Sequence, residues 1–179
     1  MKKHFTFLLP VIIFFTACSK EPLTEVKISK PVTATSALGQ DSAFQYTNTI
    51  NRDVLLALIN DLRSKGCNCG DAAMPRVPAL KWSQRLEKAA WLHSKEMNDS
   101  SYLSHTGKNG SSAGDRIKAM GYNWKVYCEN IALGFLTEQQ VIDEWIKSPS
   151  HCRGLMNARV TETGIGRYGN FWTQELALR

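Results

Sequence analysis

The stretch that decides the fold runs from residue 128 to residue 166. It reads C-E-N-I-A-L-G-F from Cys128, T-E-Q-Q-V-I-D-E-W-I-K-S-P-S-H-C from Thr137 and G-I-G from Gly164. It places a Glu beside an Asn and a His beside a Cys, with a helical pattern between them. Upstream, S-H-T-G from Ser104 supplies a second His. Two imidazoles and one carboxylate from three separate segments are typical of a small polar site. The rest of the chain is therefore expected to be the scaffold that holds these segments together.

The N-terminus has the pattern of an export signal. Two lysines precede an apolar run from Phe5 to Phe15, which is shorter than the about 20 residues that cross a bilayer. The Ala17-Cys18 junction that follows resembles a bacterial lipoprotein signal, whose cleavage leaves the cysteine as the lipidated first residue, although Phe15 departs from the usual aliphatic residue. The alternative is an ordinary secretory signal with an incidental cysteine. Either signal predicts an extracytoplasmic protein, and lipid on Cys18 would hold it at a membrane, with Ser19 favouring the outer membrane or cell surface.

Composition divides the chain into three parts. Residues 1–17 are the predicted lipoprotein signal peptide, and residues 18–49 are too rich in Ser, Thr, Lys and Pro to bury a core, so they predict a flexible tether. Residues 50–179 have the length of one domain, and a hydrophobic fraction of 43% in the whole chain supports a core. The net charge of +6 includes lysines of the signal and the tether. Since no basic run is interleaved with aromatic residues, the sequence predicts no nucleic-acid partner.

Apolar spacing predicts two long helices in the first half of the domain. The first covers residues 53–65 and ends before Gly66, with a buried face of Leu55, Leu58, Ile59 and Leu62. The second follows Ser83 as a candidate cap, and its shared face consists of Leu86, Ala90, His93 and Met97. His93 is therefore predicted to be a packed core histidine and not a ligand.

Three further helix starts carry capping signals. Ser112 stands three residues before Asp115, and Thr137 stands three residues before Gln140, which is the spacing of a capping box. Ser148 followed by Pro149 predicts an N-cap with proline at the first helical position. That start would put His151 in the first turn of a short helix.

The end of the chain changes to the period of strands. Residues 164–168 and 171–176 read as two strands joined by Gly169-Asn170, a two-residue hairpin signal. Another strand is expected over residues 130–135. Helices first and a hairpin last predict an α+β fold in which a small antiparallel sheet packs between helices.

These residues together resemble one family, the CAP superfamily of cysteine-rich secretory, antigen 5 and pathogenesis-related 1 proteins, whose domain is also called SCP-like. The resemblance rests on an ordered set of motifs, which are Leu80-Lys81-Trp82, the helix over His93-Ser94 to Met97, Ser104-His105-Thr106, Glu129-Asn130-Ile131-Ala132, Trp145 to His151 and Gly164-Ile165-Gly166. It covers nearly all of the chain from Val54 onward. The resemblance implies a three-layer α-β-α sandwich and a secreted or surface location.

The family's cleft holds two His and two Glu, and the resemblance places three of these groups in this chain. They are His105, Glu129 and His151, whereas the second Glu falls on Ser148. Two neutral imidazoles beside a carboxylate suit Zn²⁺ or another borderline divalent ion. His105 and His151 are thus the candidate metal ligands, and the alternative is that Glu129 and the histidines only brace the cleft through hydrogen bonds.

The sequence does not support either of two hydrolase signatures. G-S-S-A-G from Gly110 fits the G-x-S-x-G pattern, but a nucleophile elbow needs a buried strand before it, and residues 105–109 are polar. Ser112 is therefore interpreted as a helix cap. The zinc-protease motif H-E-x-x-H does not occur in the sequence.

Four cysteines remain in the domain, namely Cys67, Cys69, Cys128 and Cys152. They would suit zinc as a set, but outside the cytoplasm disulfides are favoured. Cys67 and Cys69 stand too close in sequence to pair without strain. Each is therefore expected to pair with Cys128 or Cys152, with Cys69 to Cys152 preferred.

The sequence thus predicts an envelope-anchored CAP domain that acts as a binding or interaction module. The candidate partners are a divalent cation, a small apolar ligand such as a lipid or sterol-like molecule, and a protein of the cell envelope. The alternative is an enzyme, a metal-assisted hydrolase or protease that uses His105, Glu129 and His151.

Overall fold

The computed structural model describes residues 18–20, for which the backbone alone is described, together with residues 46–134 and 136–179. Their secondary structure follows the order β1 (Cys18–Lys20), α1 (Arg52–Lys65), β2 (Cys67–Cys69), β3 (Ala72–Met74), β4 (Lys81–Trp82), α2 (Gln84–Asp99), α3 (Ala113–Ala119), β5 (Val126–Leu133), α4 (Glu138–Lys147), α5 (Pro149–Leu155), β6 (Glu162–Tyr168) and β7 (Phe171–Leu178). The predicted helices and the terminal hairpin are all present. The strand expected over residues 130–135 begins earlier, at Val126.

A five-stranded sheet forms the centre of the domain, with strand order β1-β5-β7-β6-β4. β5, β7 and β6 pair antiparallel, and Glu129 of β5 lies opposite Glu175 of β7. The short strand β4 pairs parallel with β6, which the sequence did not predict. A separate hairpin consists of β2 and β3.

Helices cover both faces of this sheet. Val126 and Cys128 of β5 pack in one cluster with Leu55 of α1 and Trp145 of α4. Tyr127, which points to the opposite face, packs in a second cluster with residues of α2 and α3. Because alternate side chains of one strand enter different cores, the sheet lies between two helical layers. The predicted α+β class and α-β-α sandwich are confirmed.

The G-I-G motif explains how α2 packs on β6. A Cβ atom on Gly164 would lie 2.1 Å from the backbone nitrogen of Glu87, and one on Gly166 would lie 2.1 Å from that of Trp91. Both separations are far inside van der Waals contact, so only glycine permits this close approach of helix backbone to strand. The motif therefore sets the distance between α2 and the sheet.

The two predicted capping boxes form as the local sequence requires. Thr137 Oγ1 accepts a hydrogen bond from the backbone N–H of Gln140 at 3.3 Å, and the Gln140 side chain accepts one from the backbone N–H of Thr137 at 2.9 Å. Ser112 and Asp115 form the same reciprocal box at the start of α3. Ser83 occupies the N-cap position of α2 without a side-chain capping bond.

A buried arginine ties α1 to the end of α5. Arg63 donates from Nε to the carbonyl of Pro78 at 2.8 Å and from one terminal nitrogen to the carbonyl of Leu155 at 2.5 Å. Burial lowers the pKa of Arg63 to about 10. Arg63 thereby fixes the position of α5, the helix that carries His151.

The cysteines pair differently from the full prediction. The predicted Cys69–Cys152 disulfide is confirmed, but the second disulfide expected from Cys67 is wrong, because Cys67 is a free thiol. Its sulfur lies 3.6 Å from that of Cys152, which is already bonded. Cys128 lies on β5 and packs in a different cluster from these three cysteines. Burial raises the pKa of the Cys67 thiol.

Some residues assigned to the tether contact the domain. Asn48 donates a hydrogen bond to the Glu87 carboxylate and another to the carbonyl of Ile165, both at 2.9 Å. The backbone of residues 18–20 forms β1 against β5. The predicted signal peptide over residues 1–17 lies outside the described residues. In the part of the chain that is described, no helix has the length and apolar character needed to cross a membrane.

Candidate functional site

The candidate site is organised around Glu129, whose carboxylate is buried on β5. Its Oε1 accepts a hydrogen bond from His105 Nδ1 at 2.7 Å, and its Oε2 accepts one from Arg116 at 2.5 Å. Burial by itself raises the pKa of Glu129, but the His105 hydrogen bond and the positive charge of Arg116 together lower it. Glu129 is therefore an ionised, fully engaged carboxylate.

This contact defines the tautomer of His105. An ionised carboxylate only accepts hydrogen bonds, so Nδ1 must carry the proton that it donates to Glu129. In the neutral imidazole, Nε2 then holds a lone pair. The His105 side chain is 31% exposed, so the ring is not sealed in the core. Its Nε2 is thus available to a ligand that enters from the solvent side.

Arg116 of α3 braces the same loop from a second direction. One of its terminal nitrogens donates both to the Glu129 carboxylate and to the backbone carbonyl of His105, the latter at 3.0 Å. The guanidinium therefore holds the backbone of the loop while Glu129 holds the ring. Sequence reasoning missed this residue, because an arginine in a short helix gives no local signal of an ion pair with a distant strand.

His151 lies on α5, in the other helical layer of the domain. The backbone carbonyl of His151 accepts a hydrogen bond from Asn130 Nδ2 at 3.3 Å. Asn130 follows Glu129 on β5, so neighbouring residues of one strand hold the two histidine segments. Burial, and then the positive charge of His105, lower the pKa of His151 to about 4. Its imidazole is therefore neutral at physiological pH.

The structure places two of the three predicted residues, His105 and Glu129, in direct contact. His151 connects to them through Asn130. The ligand atoms of all three do not lie within 4.8 Å of one another. In residues 46–134 and 136–179, the one group of three or more metal-ligating side chains that meets this distance consists of Cys67, Cys69 and Cys152.

A second buried acid, Glu175 of β7, faces Glu129 across the strand pair. Its buried carboxyl oxygens have no hydrogen-bond partner other than the Glu129 carboxylate, to which a protonated Glu175 can donate. Burial, and then the negative charge of Glu129, raise the pKa of Glu175 well above its ordinary value. Glu175 is therefore a neutral acid beside an ionised one. Strand alternation from Glu129 and the hairpin register carry the signal that would have found it.

The remaining sequence candidates have structural roles. Ser148, where the resemblance placed the second Glu, is the N-cap of α5, and its hydroxyl lies 3.1 Å from that of Ser150. Ser112 Oγ donates to the Asp115 carboxylate at 2.6 Å, as expected of a cap and not of a nucleophile. His93 is 1% exposed, which agrees with its predicted place in the core.

A cavity of about 260 Å³ lies between α2 and α3, beside this site. Its walls are largely apolar, with His93 and Arg116 among the lining residues. Pockets that enclose drug-sized molecules are about 300–1,000 Å³. The cavity therefore suits a small ligand better than one of sterol size.

Residues 56–175 match the CAP family, described as the cysteine-rich secretory protein family. The chain belongs to this family. The matched region contains His105, Glu129 and His151, together with α2 to α5.

Relatives of this CAP domain include two proteins of Bacillus subtilis. The chain is 30% identical over 159 residues to the uncharacterized protein YkwD, and the aligned region covers 88% of this chain and 54% of YkwD. It is 26% identical over 139 residues to the uncharacterized membrane protein YlbC, and the aligned region covers 78% of this chain and 38% of YlbC. The chain therefore spans about half or less of the length of these relatives.

Solved structures show the same fold. An extracellular SCP-domain protein of Bacillus anthracis aligns with a TM-score of 0.63 and 28% identity over 71% of this chain and 40% of that one. An outer surface protein of Borrelia burgdorferi aligns with a TM-score of 0.61 and 22% identity over 71% of this chain and 91% of that one. At this lower identity, the second likeness bears on the fold alone.

Proposed function

We propose that this CAP domain is an extracytoplasmic binding module in which His105 and His151 hold a divalent cation such as Zn²⁺. The observation that carries the proposal is the 2.7 Å hydrogen bond from His105 Nδ1 to the buried Glu129 carboxylate. Metal-binding histidines commonly donate their second ring N–H to a carboxylate, which fixes the ring and increases the basicity of the ligating nitrogen. Glu129 would thus support the metal ligand without binding the metal itself.

The charge state of His151 suits this role. A metal binds neutral imidazole, so a ligand histidine must be free of its second proton. The lowered pKa of His151 keeps that ring neutral down to about pH 4. Two imidazoles are fewer than the three protein ligands of most catalytic zinc sites. Water would complete the coordination, and we expect modest affinity.

The proposed location is the cell envelope, with lipid on Cys18 as the anchor. The alignment with an extracellular SCP-domain protein at 28% identity supports export. A small apolar ligand remains a second candidate for the same module, and the cavity beside Arg116 supports it. An envelope protein is a further candidate partner.

A metal-assisted hydrolase is the alternative function. The Glu129–His105 pair favours it, because a carboxylate that orients an imidazole also prepares that imidazole to act as a general base. Screening the purified protein against peptide and ester libraries, with and without a chelator, separates the two functions. Turnover that requires both the metal and His105 would establish the enzyme, and its absence in a metal-loaded protein would favour the binding module.

Isothermal titration of the protein with Zn²⁺ tests the proposal. A Cys67→Ser background removes the free thiol as a competing ligand. We expect one ion per chain in this background and a loss of binding in both His105→Ala and His151→Ala. Equal binding in all three proteins, or none in the background protein, would leave Glu129 and the histidines with a bracing role only.

A further inference from the structure

Three cysteine sulfurs converge where α5 meets the β2–β3 hairpin, and one of them belongs to Cys152, the residue after His151. Cys67 and Cys69 stand at the two ends of β2, and Cys152 belongs to α5. The sulfur atoms all lie within 4.8 Å of one another. Cys69 and Cys152 form a disulfide, while Cys67 beside them is a free thiol. Cys67 has no disulfide partner. A structural bond therefore does not account for the presence of its thiol beside the disulfide.

The sulfur separations match those around a thiolate-bound metal. Cys67 Sγ lies 3.6 Å from Cys152 Sγ and 3.9 Å from Cys69 Sγ. In a tetrahedral zinc site with Zn–S bonds of about 2.3 Å, neighbouring sulfurs are about 3.8 Å apart. Two of the three edges of such a site are therefore already present. The third edge requires only that the Cys69–Cys152 bond opens.

The surroundings hold the sulfurs in place and leave a route to them. The β2–β3 hairpin fixes Cys67 opposite Met74 and Cys69 opposite Ala72. Cys69 and Cys152 are buried, at 1% and 0% exposure, whereas Cys67 is half-buried. Cys67 also lines a surface cavity of about 390 Å³, together with Lys65 and Pro75 among others. An ion or a reductant can therefore reach the cluster through the side on which Cys67 lies.

We propose that the reduced protein binds a thiophilic divalent cation, with Zn²⁺ as the probe, through Cys67, Cys69 and Cys152. Soft thiolate ligands select such ions, and water would fill the fourth position. A dithiol reductant supplies two electrons and two protons to the disulfide and itself becomes a disulfide. The metal then displaces the protons of the three thiols into solvent. The disulfide excludes the metal, so the site is controlled by the redox state of the compartment.

This site uses ligands other than the two histidines, so it can be tested in a protein that lacks both of them. The protein carries His105→Ala and His151→Ala, is reduced with a phosphine under anaerobic conditions, and is titrated with Co²⁺. We expect a sulfur-to-cobalt charge-transfer absorption at one equivalent, which Zn²⁺ abolishes. The oxidised protein should show no such band. Failure of the histidine proposal would not change this result, because both histidines are already absent.

Two cysteine variants in the same background decide the ligands. Cys67→Ser leaves Cys69 and Cys152 intact and should weaken Co²⁺ binding at least about tenfold. Loss of a residue that only supports a metal ligand weakens binding by about 10–100-fold, so loss of a ligand should cost no less. Cys128→Ser is the matched control and should bind as its parent does. If the reduced protein loses its circular dichroism, Zn²⁺ should restore the signal in the parent and not in Cys67→Ser. Equal binding or equal recovery in Cys67→Ser, or no thiolate band in the parent, would overturn the proposal.

Discussion

The buried carboxylate of Glu129 accepts a hydrogen bond from Nδ1 of His105 at 2.7 Å, across 24 residues of sequence. The same carboxylate accepts a hydrogen bond from Arg116, so both of its oxygens are engaged. This arrangement uses Glu129 to orient an imidazole and leaves the Nε2 atom of that imidazole for a ligand. The first prediction tests this division of roles.

Glu129→Gln should weaken Zn²⁺ binding about 10–100-fold, the range typical of losing a carboxylate that supports a metal-bound histidine. It should also lower the free energy of unfolding by about 1–3 kcal/mol, because Arg116 loses the charge of its buried partner. Titration calorimetry and urea denaturation measure the two effects. Glu144→Gln is the matched control, since the exposed Glu144 pairs with Lys147 outside the site. Unchanged binding in Glu129→Gln would contradict the orienting role.

The stability of the protein should fall as the pH decreases from about 6.5 towards 4. The pKa of His151 is lowered from 6.5 to about 4 in the folded protein. Between these values the unfolded chain binds a proton that the folded chain does not, so acidification favours unfolding. The full stabilisation is present above about pH 6.5. Burial lowers the pKa of His93 as well, which adds an effect of the same sign.

The measurement for this prediction is urea denaturation at several pH values between 4.5 and 7. His151→Asn should reduce the slope of the unfolding free energy against pH, and the part that remains should belong to the other groups with shifted pKa values, namely His93, Glu129 and Glu175. Above pH 7 the variant and the wild type should show parallel curves. A slope that is the same in both proteins would show that His151 does not titrate with a lowered pKa.

Glu175→Gln should not destabilise the protein at neutral pH and should stabilise it at alkaline pH. The pKa of Glu175 is raised in the folded protein. Its contribution to the free energy of unfolding is therefore present at low pH and is lost as the pH rises towards that raised pKa. An amide stays neutral at every pH, and its N–H can donate to the Glu129 carboxylate. Thermal unfolding of both proteins at pH 7 and pH 9 checks this. A large loss of stability in the variant at both values would show that the Glu175 carboxylate is ionised and required.

Removal of the confirmed disulfide should cost more than removal of the free thiol. The Cys69–Cys152 bond closes a sequence separation of 83 residues, for which chain entropy gives about 4.5 kcal/mol. Cys152→Ser, which leaves neither Cys67 nor Cys69 a partner on α5, should therefore lower the free energy of unfolding by roughly this amount, whereas Cys67→Ser should change it little. Denaturation without reductant provides the comparison. An equal loss in the two variants would contradict the assigned pairing.

Lipid anchoring through Cys18 remains a prediction from the signal sequence. The backbone register places Cys18 opposite Cys128, and one sulfur cannot carry a thioether to lipid and a disulfide at once. Fatty-acid labelling should mark the wild type and not Cys18→Ser, which should also leave the membrane fraction. Mass spectrometry of non-reduced digests detects the alternative, a disulfide on Cys18. A peptide that links Cys18 to Cys128, with no label, would refute lipidation.

Local signals account for what the sequence predicted well. The capping boxes at Ser112 and Thr137 depend on residues three positions apart, and the glycines of G-I-G reflect one helix lying directly on one strand. Arg116 and Glu175 were missed for the opposite reason. Each acts on Glu129 across a distance in sequence, and the neutral state of Glu175 follows from burial and the neighbouring charge of Glu129, which composition and spacing do not reveal.

The predicted second disulfide failed for a related reason. Sequence spacing excluded a bond between Cys67 and Cys69 but gave no information on how many partners lay within reach. In the fold, Cys67 and Cys69 both approach Cys152, and one sulfur can accept only one of them. Cys128 lies on a different strand, so the count of cysteines alone could not determine the pairing.

Nitrogen-resolved NMR of the histidine side chains, with and without Zn²⁺, tests the central claim most directly. We predict that His105 carries its proton on Nδ1, and that Zn²⁺ shifts the Nε2 resonance of His105 together with a ring nitrogen of His151. A proton on Nε2 of His105, or histidine resonances that Zn²⁺ leaves unchanged, would contradict the account.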